Sequence, residues 1–199
     1  MNRRLDSDEA QQLWHEYRAG DMYALANIIQ RAYPDLFHWG MRLHADREFV
    51  KDCIQEMFVS LWKIHDTIGS VENVRSYLLV VLKTRILREL SKKYNTHQSS
   101  LSDEYSFSVE FAADLRLIEE EHEIYQVRKM EQVIRHLPDR QKELIYLRFY
   151  QDLSYEQIAE VMQLERQSVY NLLNKSLNSL RKNWAVAFVG FLLQWSIWV

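Results

Sequence analysis

Arg166, Gln167, Ser168, Tyr170, Asn171, Asn174 and Lys175 cluster at the start of one helical pattern. Side chains of these types read base edges or hold phosphates when a helix presents them to a nucleic-acid groove. Between Arg166 and Lys182 there are four basic residues and no acid. A second basic run, Lys83 to Lys93, holds five cations against one acid, Glu89. Within it Lys83, Thr84, Arg88 and Lys92, followed by Lys93, can track a phosphate backbone. A third group, Asp52, Gln55 and Glu56, falls at i, i+3 and i+4 and so shares one helix face. Each group has a plainer reading as a solvated face, and for the third that reading is the stronger one on the residues alone. No nucleophile–base pairing, phosphate-binding Gly loop or metal-ligand spacing occurs among the residues. No catalytic residue, metal or cofactor is therefore expected, and the chain does not read as an enzyme.

The elements that must position these side chains are helices. Pro138 and Asp139 open one whose apolar positions are Leu144, Ile145, Leu147 and Phe149. Ser154 lies three residues before Gln157, the spacing of a capping box. Ile158, Ala159, Val161 and Met162 give the next helix a buried face, and Gln163-Leu164-Glu165 makes a tight turn. The last helix carries Val169, Leu172, Leu173, Leu177 and Leu180 on its inner side. This is a helix-turn-helix, which can lay its second helix in a major groove.

Upstream, Asp6 and Glu9 can cap a first helix with Leu13, Trp14 and Tyr17 inward. Asp21 caps a second with Leu25, Ile28 and Ile29 buried, and Pro34 is expected to start a third. After Asp46 a helix has an inner stripe of Val50, Cys53, Ile54, Met57, Leu61 and Ile64. Gly69-Ser70 ends the pattern. A further helix spans about Val74 to Tyr94, with Leu78, Leu82, Ile86 and Leu90 at i+4 spacing.

Apolar residues make up 47% of the 199, with only four Gly and two Pro, so the fold class is all-α. The reading is two helical modules, 1–95 and 130–183, the second a helix-turn-helix, joined by a flexible acidic linker with its connecting helix at 96–129. Asp103 to Glu123 holds eight acids against one base. The net charge of −3 is therefore unevenly spread, and basic segments remain free to meet phosphates. The single cysteine excludes an internal disulfide and fits a reducing, cytoplasmic setting, and no signal peptide is visible.

The order of motifs resembles a bacterial sigma factor of the extracytoplasmic-function group. The matching residues are Ala19-Gly20-Asp21, Tyr33-Pro34-Asp35-Leu36, Asp52 through Phe58 with Leu61-Trp62, Arg75-Ser76-Tyr77-Leu78 through Lys92-Lys93, and Leu137 to Lys182. The resemblance implies that Asp52, Gln55, Glu56, Phe58 and Trp62 dock on core RNA polymerase. It implies that Tyr77, Lys83, Thr84, Arg88, Lys92, Lys93 and the loop from about Asp66 to Asn73 serve −10 recognition and melting. The helix from Arg166 would read the −35 element. Glu165, Gln167, Ser168, Tyr170 and Leu172 stand where the family has Ser, Gly, Thr, Lys and Arg, so weak binding to free DNA is expected. Implied partners are core RNA polymerase, promoter DNA and an anti-sigma factor. The alternatives are a stand-alone helix-turn-helix regulator and a sigma-like module that only binds polymerase.

Residues 184–199 form an apolar tail, and its last fifteen carry no charge. As a helix those fifteen span about 22 Å, short of the roughly 30 Å of a hydrocarbon core. Docking on the protein itself or a partner is the favoured reading, and membrane contact is the less favoured one.

Overall fold

The computed structural model describes residues 7–93, 107–108 and 131–195, with the side chains of Ser7, Lys93 and 183–195 excepted. Helices α1 (Ser7–Arg18), α2 (Met22–Leu43), α3 (Arg47–Lys63) and α4 (Val74–Lys93) build the first module. The second holds α5 (Asp139–Ile145) with its π-helical continuation Tyr146–Tyr150, α6 (Tyr155–Met162) and α7 (Arg166–Trp195). A helical stretch at 131–135 precedes α5, and no strand occurs among the described residues.

Local chemistry sets most helix ends. Gly20, at φ +96°, stops α1 in a left-handed conformation that costs a glycine nothing. The Asp21 carboxylate then accepts from the amides of Tyr23 and Ala24, and Asp46 does the same for Glu48 and Phe49 at the start of α3. The expected capping box is present: Ser154 accepts from the Gln157 amide, and the Gln157 side chain accepts from the Ser154 amide. Gln163, at φ 53°, makes the turn before α7.

The third helix expected at Pro34 does not exist, because α2 runs unbroken from Met22 to Leu43 with Pro34 inside it. Proline removes one hydrogen bond and strains a helix interior. Here eight residues of α2, from Ala24 to Leu43, are buried on both sides of the proline, and this packing outweighs the local loss. Gly40 marks where α2 crosses α3 closely; a Cβ there would meet Val50 Cγ1 at 2.5 Å.

Helix α5 departs from its expected face. Leu144, Ile145 and Leu147 are buried as read, but Phe149 is 64% exposed. The backbone widens at Tyr146, whose carbonyl accepts from the Gln151 amide five residues on. The wider turn rotates Phe149 outward, and Tyr146 goes into the core instead.

Five of the six stripe residues of α3 are buried, while Ile64 is 43% exposed at the helix's C-cap. Leu78, Leu82 and Ile86 of α4 are buried, with Leu90 half-buried. The apolar cores of the two modules join into one. Trp39 of α2 stacks on Tyr146 with ring centroids 5.7 Å apart, and Phe107 packs against both rings. Phe107 belongs to the segment read as a flexible acidic linker, yet it is 1% exposed. The Ser108 amide donates to the Arg42 carbonyl and fixes that anchor to α2. Asp6, Tyr94 and the rest of the 96–129 segment lie outside the described residues.

Candidate nucleic-acid and partner interfaces

The start of α7 presents the side chains that its sequence singled out. Arg166, Gln167, Ser168, Asn171, Asn174 and Lys175 are all exposed, while Val169, Leu173 and Ser176 are buried. Ser176 hides its hydroxyl by donating to the Leu172 carbonyl one turn back. Tyr170 is half-buried, its ring 4.4 Å from that of Tyr155 on α6, so it braces the two helices as well as edging the surface. Arg166 is held by Glu156 at 2.8 Å and lies over the Tyr170 ring. Gln167 donates to Asn171 at 3.4 Å. The result is an uninterrupted polar ridge with amide donors and acceptors in its first two turns.

Helix α4 divides its candidate residues between two faces. Thr84, Arg88 and Lys92 are exposed, with Lys92 bonded to Glu89. Tyr77 is half-buried, edge-on to Trp14 at 5.3 Å, and burial raises its phenol pKa above the usual value. The side chain of Lys93 lies outside the described residues. Lys83 departs from the expectation of an outward phosphate contact. It is 8% exposed, and its ammonium donates to Glu143 of α5 at 2.6 Å. One residue along a helix is a turn of about 100°, which carries Lys83 off the face of Thr84 and toward the second module. Burial pushes the Glu143 carboxyl above its ordinary range and the Lys83 ammonium below its own, and each is pulled back by the other's charge.

Lys83 is one of several contacts along this face. The Arg75 guanidinium donates to the Gln151 carbonyl at 2.7 Å, bonds the Gln151 side chain as well, and pairs with Asp35 at 3.0 Å. The Ser76 hydroxyl donates to Glu160 of α6 at 2.7 Å. None of these partners was legible as such in the sequence.

Between α3 and α4 lies the loop expected at 66–73, and α1 straps it from behind. Gln11 donates to the Val71 and Glu72 carbonyls, Trp14 to Gly69, and Arg18 to Ile68. Asp66, Thr67, Gly69, Ser70 and Glu72 stay exposed on a fixed backbone.

Asp52, Gln55 and Glu56 are exposed together on α3. Glu56 is also tied to Arg85 of α4 at 2.7 Å, and Arg85 reaches Ser60. Phe58 is 6% exposed and Trp62 half-buried, stacked on His65. Both line an apolar groove of about 650 Å³ between α2 and α3, together with Met22, Leu25, Ile29 and Tyr33. Met22 and Val59 expose 62% and 49% of their surface at its edge. An aromatic, apolar groove flanked by acids and amides suits a helix from a partner protein. Among the described residues there is no group of His, Cys, Asp and Glu placed to hold a metal, and no helix long and apolar enough to cross a membrane.

Residues 28–96 match sigma-70 region 2, and residues 128–180 match sigma-70 region 4. The fold is similar to that of CnrH in its complex with the cytosolic domain of CnrY. That likeness has 18% identity and a TM-score of 0.60, covering 89% of this chain and 97% of that one. It is also similar to the sigma factor RpoE in complex with the anti-sigma factor NepR from Bartonella quintana, at 16% identity and a TM-score of 0.57, covering 81% and 96%. No curated protein sequence matches the chain.

Proposed function

Because the chain belongs to the sigma-70 family, we propose that it is an alternative sigma factor of the extracytoplasmic-function type. It binds core RNA polymerase, directs it to a set of promoters and helps open them, while the chemistry of RNA synthesis belongs to the polymerase. The chain itself is not an enzyme, needs no cofactor and works in the cytoplasm. The observation that carries this reading is the pairing of two surfaces on one molecule: the exposed polar ridge of α7 and the acid-and-amide face of α3 beside an apolar groove.

Each surface has a role. Asp52, Gln55 and Glu56 hydrogen-bond a basic helix of the polymerase, with Phe58 and Trp62 giving the neighbouring groove its apolar floor. Thr84, Arg88, Lys92 and Lys93 follow the promoter backbone near the −10 element, and the strapped loop at 66–73 holds an unstacked base against the module. Gln167 and Asn171 read base edges of the −35 element, and Lys175 holds a phosphate. The similar sigma factor RpoE is in complex with the anti-sigma factor NepR, and an anti-sigma factor is the expected inhibitor here.

The test is run-off transcription with purified core polymerase on a genomic promoter library. Promoter-specific transcripts that depend on this chain support the reading. A stand-alone regulator would instead footprint a symmetric site without polymerase. Asp52→Ala with Gln55→Ala should reduce retention of the chain on core polymerase while leaving helicity intact, and unchanged retention would remove the polymerase-binding role from this face.

A further inference from the structure

Arg166 is the first residue of α7, and the first turn of that helix holds no acid. A cation there faces the positive end of the helix dipole, so helix stability does not explain its place. Two neighbours hold it nonetheless. Glu156 of α6 binds its Nη2 at 2.8 Å, and the guanidinium lies 5.8 Å from the centre of the Tyr170 ring, one turn along α7. Nη2 also donates to the Tyr170 hydroxyl at 3.4 Å. Tyr170 is held in turn by Tyr155, with ring centroids 4.4 Å apart. The Arg148 guanidinium lies over Tyr155 at 5.2 Å while donating to the Leu153 carbonyl. A chain of contacts from Arg148 through the two tyrosines thus ends on Arg166. Arg166 and Glu156 are exposed and both tyrosines are half-buried, so a surface cation rests on supported rings.

We infer that Arg166 is a guanine reader of the −35 element, and that Glu156 and Tyr170 are the positioning residues that aim it. This rests on the sigma-factor reading and gives its −35 surface a specificity that the amides do not carry. Gln167 and Asn171 can each donate and accept, which suits an adenine edge. An arginine only donates, and guanine presents two acceptors, N7 and O6, side by side in the major groove. Both contacts of Arg166 use Nη2, and the planar fork has five donors in all, so being held by Glu156 leaves a donor pair for a base. Residues at the N-terminal end of a recognition helix are those that reach base edges. The carboxylate has a second effect. An unpaired arginine is drawn to any phosphate, whereas one beside a carboxylate carries little net charge and gains chiefly from a directed bond. The Glu156 carboxyl lies below its ordinary range because its own helix amide and Ser154 hold it, with Arg166 adding to the effect, so it is ionised at neutral pH.

The test uses holoenzyme assembled from core polymerase and the full chain, competing for promoters randomised over the −35 element, with the bound fraction sequenced. The native chain should favour guanine at one base pair. Arg166→Ala should cut that preference about tenfold or more and leave the other positions as they were. Arg166→Lys keeps the charge but loses the fork, and it should fail to restore guanine. Glu156→Gln should flatten the same base pair from both ends, so that favoured promoters lose affinity and disfavoured ones gain it. A merely structural role for Glu156 would lower all of them alike. Tyr170→Leu should blur the same position, and Tyr170→Phe, which keeps the ring, should recover most of the preference. An Arg166→Ala profile equal to the native one, an even loss across all sequences, or an Arg166→Lys chain that matches the native one would each overturn the guanine assignment. A guanine preference left intact by both Glu156→Gln and Tyr170→Leu would overturn their positioning role. A native holoenzyme that selects no promoter would overturn the sigma-factor reading and this assignment with it, whereas selection without an Arg166-dependent guanine would overturn this assignment alone.

Discussion

Helices α4 and α7 look alike in sequence and end in different circumstances. Each is long, amphipathic and basic along one stretch, and each was read as a nucleic-acid helix. The polar ridge of α7 is open to solvent from Arg166 to Lys175. On α4 the exposed Thr84, Arg88 and Lys92 coexist with a face at Arg75, Ser76 and Lys83 that is spent on the second module. A basic residue on an amphipathic helix therefore has two uses, and only its angular position relative to a neighbouring element separates them.

The strongest perturbation of this contrast is to remove its central ring. Trp39→Ala should lower stability by about 3–5 kcal/mol, the usual cost of deleting a buried aromatic, because Trp39 is fully buried and touches both Phe107 and Tyr146. Urea denaturation followed by circular dichroism measures this; a loss below about 1 kcal/mol would mean that the shared core is not a unit.

Breaking the charged contact comes next. Glu143→Ala takes the carboxylate away from the buried Lys83 ammonium and should cost about 3 kcal/mol. Replacing both residues, Lys83→Met with Glu143→Leu, should recover most of that loss, since apolar side chains of similar size need no charge partner. A double variant no more stable than the single one would contradict the pair's isolation from solvent.

The open ridge of α7 responds in specificity rather than in stability. Gln167→Ala or Asn171→Ala should change preference at single −35 base pairs by about 1–3 kcal/mol, measured by competition among promoter variants with the holoenzyme. Lys175→Ala should weaken all of them evenly. A smaller effect is expected beneath the ridge: Ser154→Ala removes the capping box of α6 and should cost about 1 kcal/mol of stability, with the preference profile unchanged.

The smallest effect belongs to the first module. Burial raises the Cys53 thiol from 9.0 to about 11, with Glu89 adding to the rise. The native thiol should resist a disulfide reagent at pH 8 and react on unfolding. A folded pKa above the unfolded one means that the contribution is full below pH 9 and is lost as pH rises toward about 11. Cys53→Ala should flatten that alkaline decline in urea midpoints; an unchanged slope assigns the decline to other groups.

Much of this molecule was readable from residue types and spacing, because helix signals are local. The caps at Asp21 and Ser154, the break at Gly69-Ser70 and the inner stripe of α3 all depend on neighbours within a turn or two. The ridge of α7 was legible for the same reason: Val169 and Leu173 define the inside and so define the outside. Pro34 misled because its local strain is a few kcal/mol at most and α2 buries side chains on both sides of it. Phe149 misled because a single wide turn shifts every later residue around the helix, and nothing in the spacing announces that turn.

By itself, the sequence determined most of the helices and their inner faces, and the residue types that α3, α4 and α7 carry. Those properties follow from interactions between residues a few positions apart. Tertiary structure alone decided that Lys83 faces Glu143, that Arg75 reaches Gln151, and that Phe107 packs against both Trp39 and Tyr146. These pairs lie tens of residues apart in the chain. Each is chosen by how two finished surfaces fit, and a long buried side chain takes whichever opposite charge or ring the fit brings within reach.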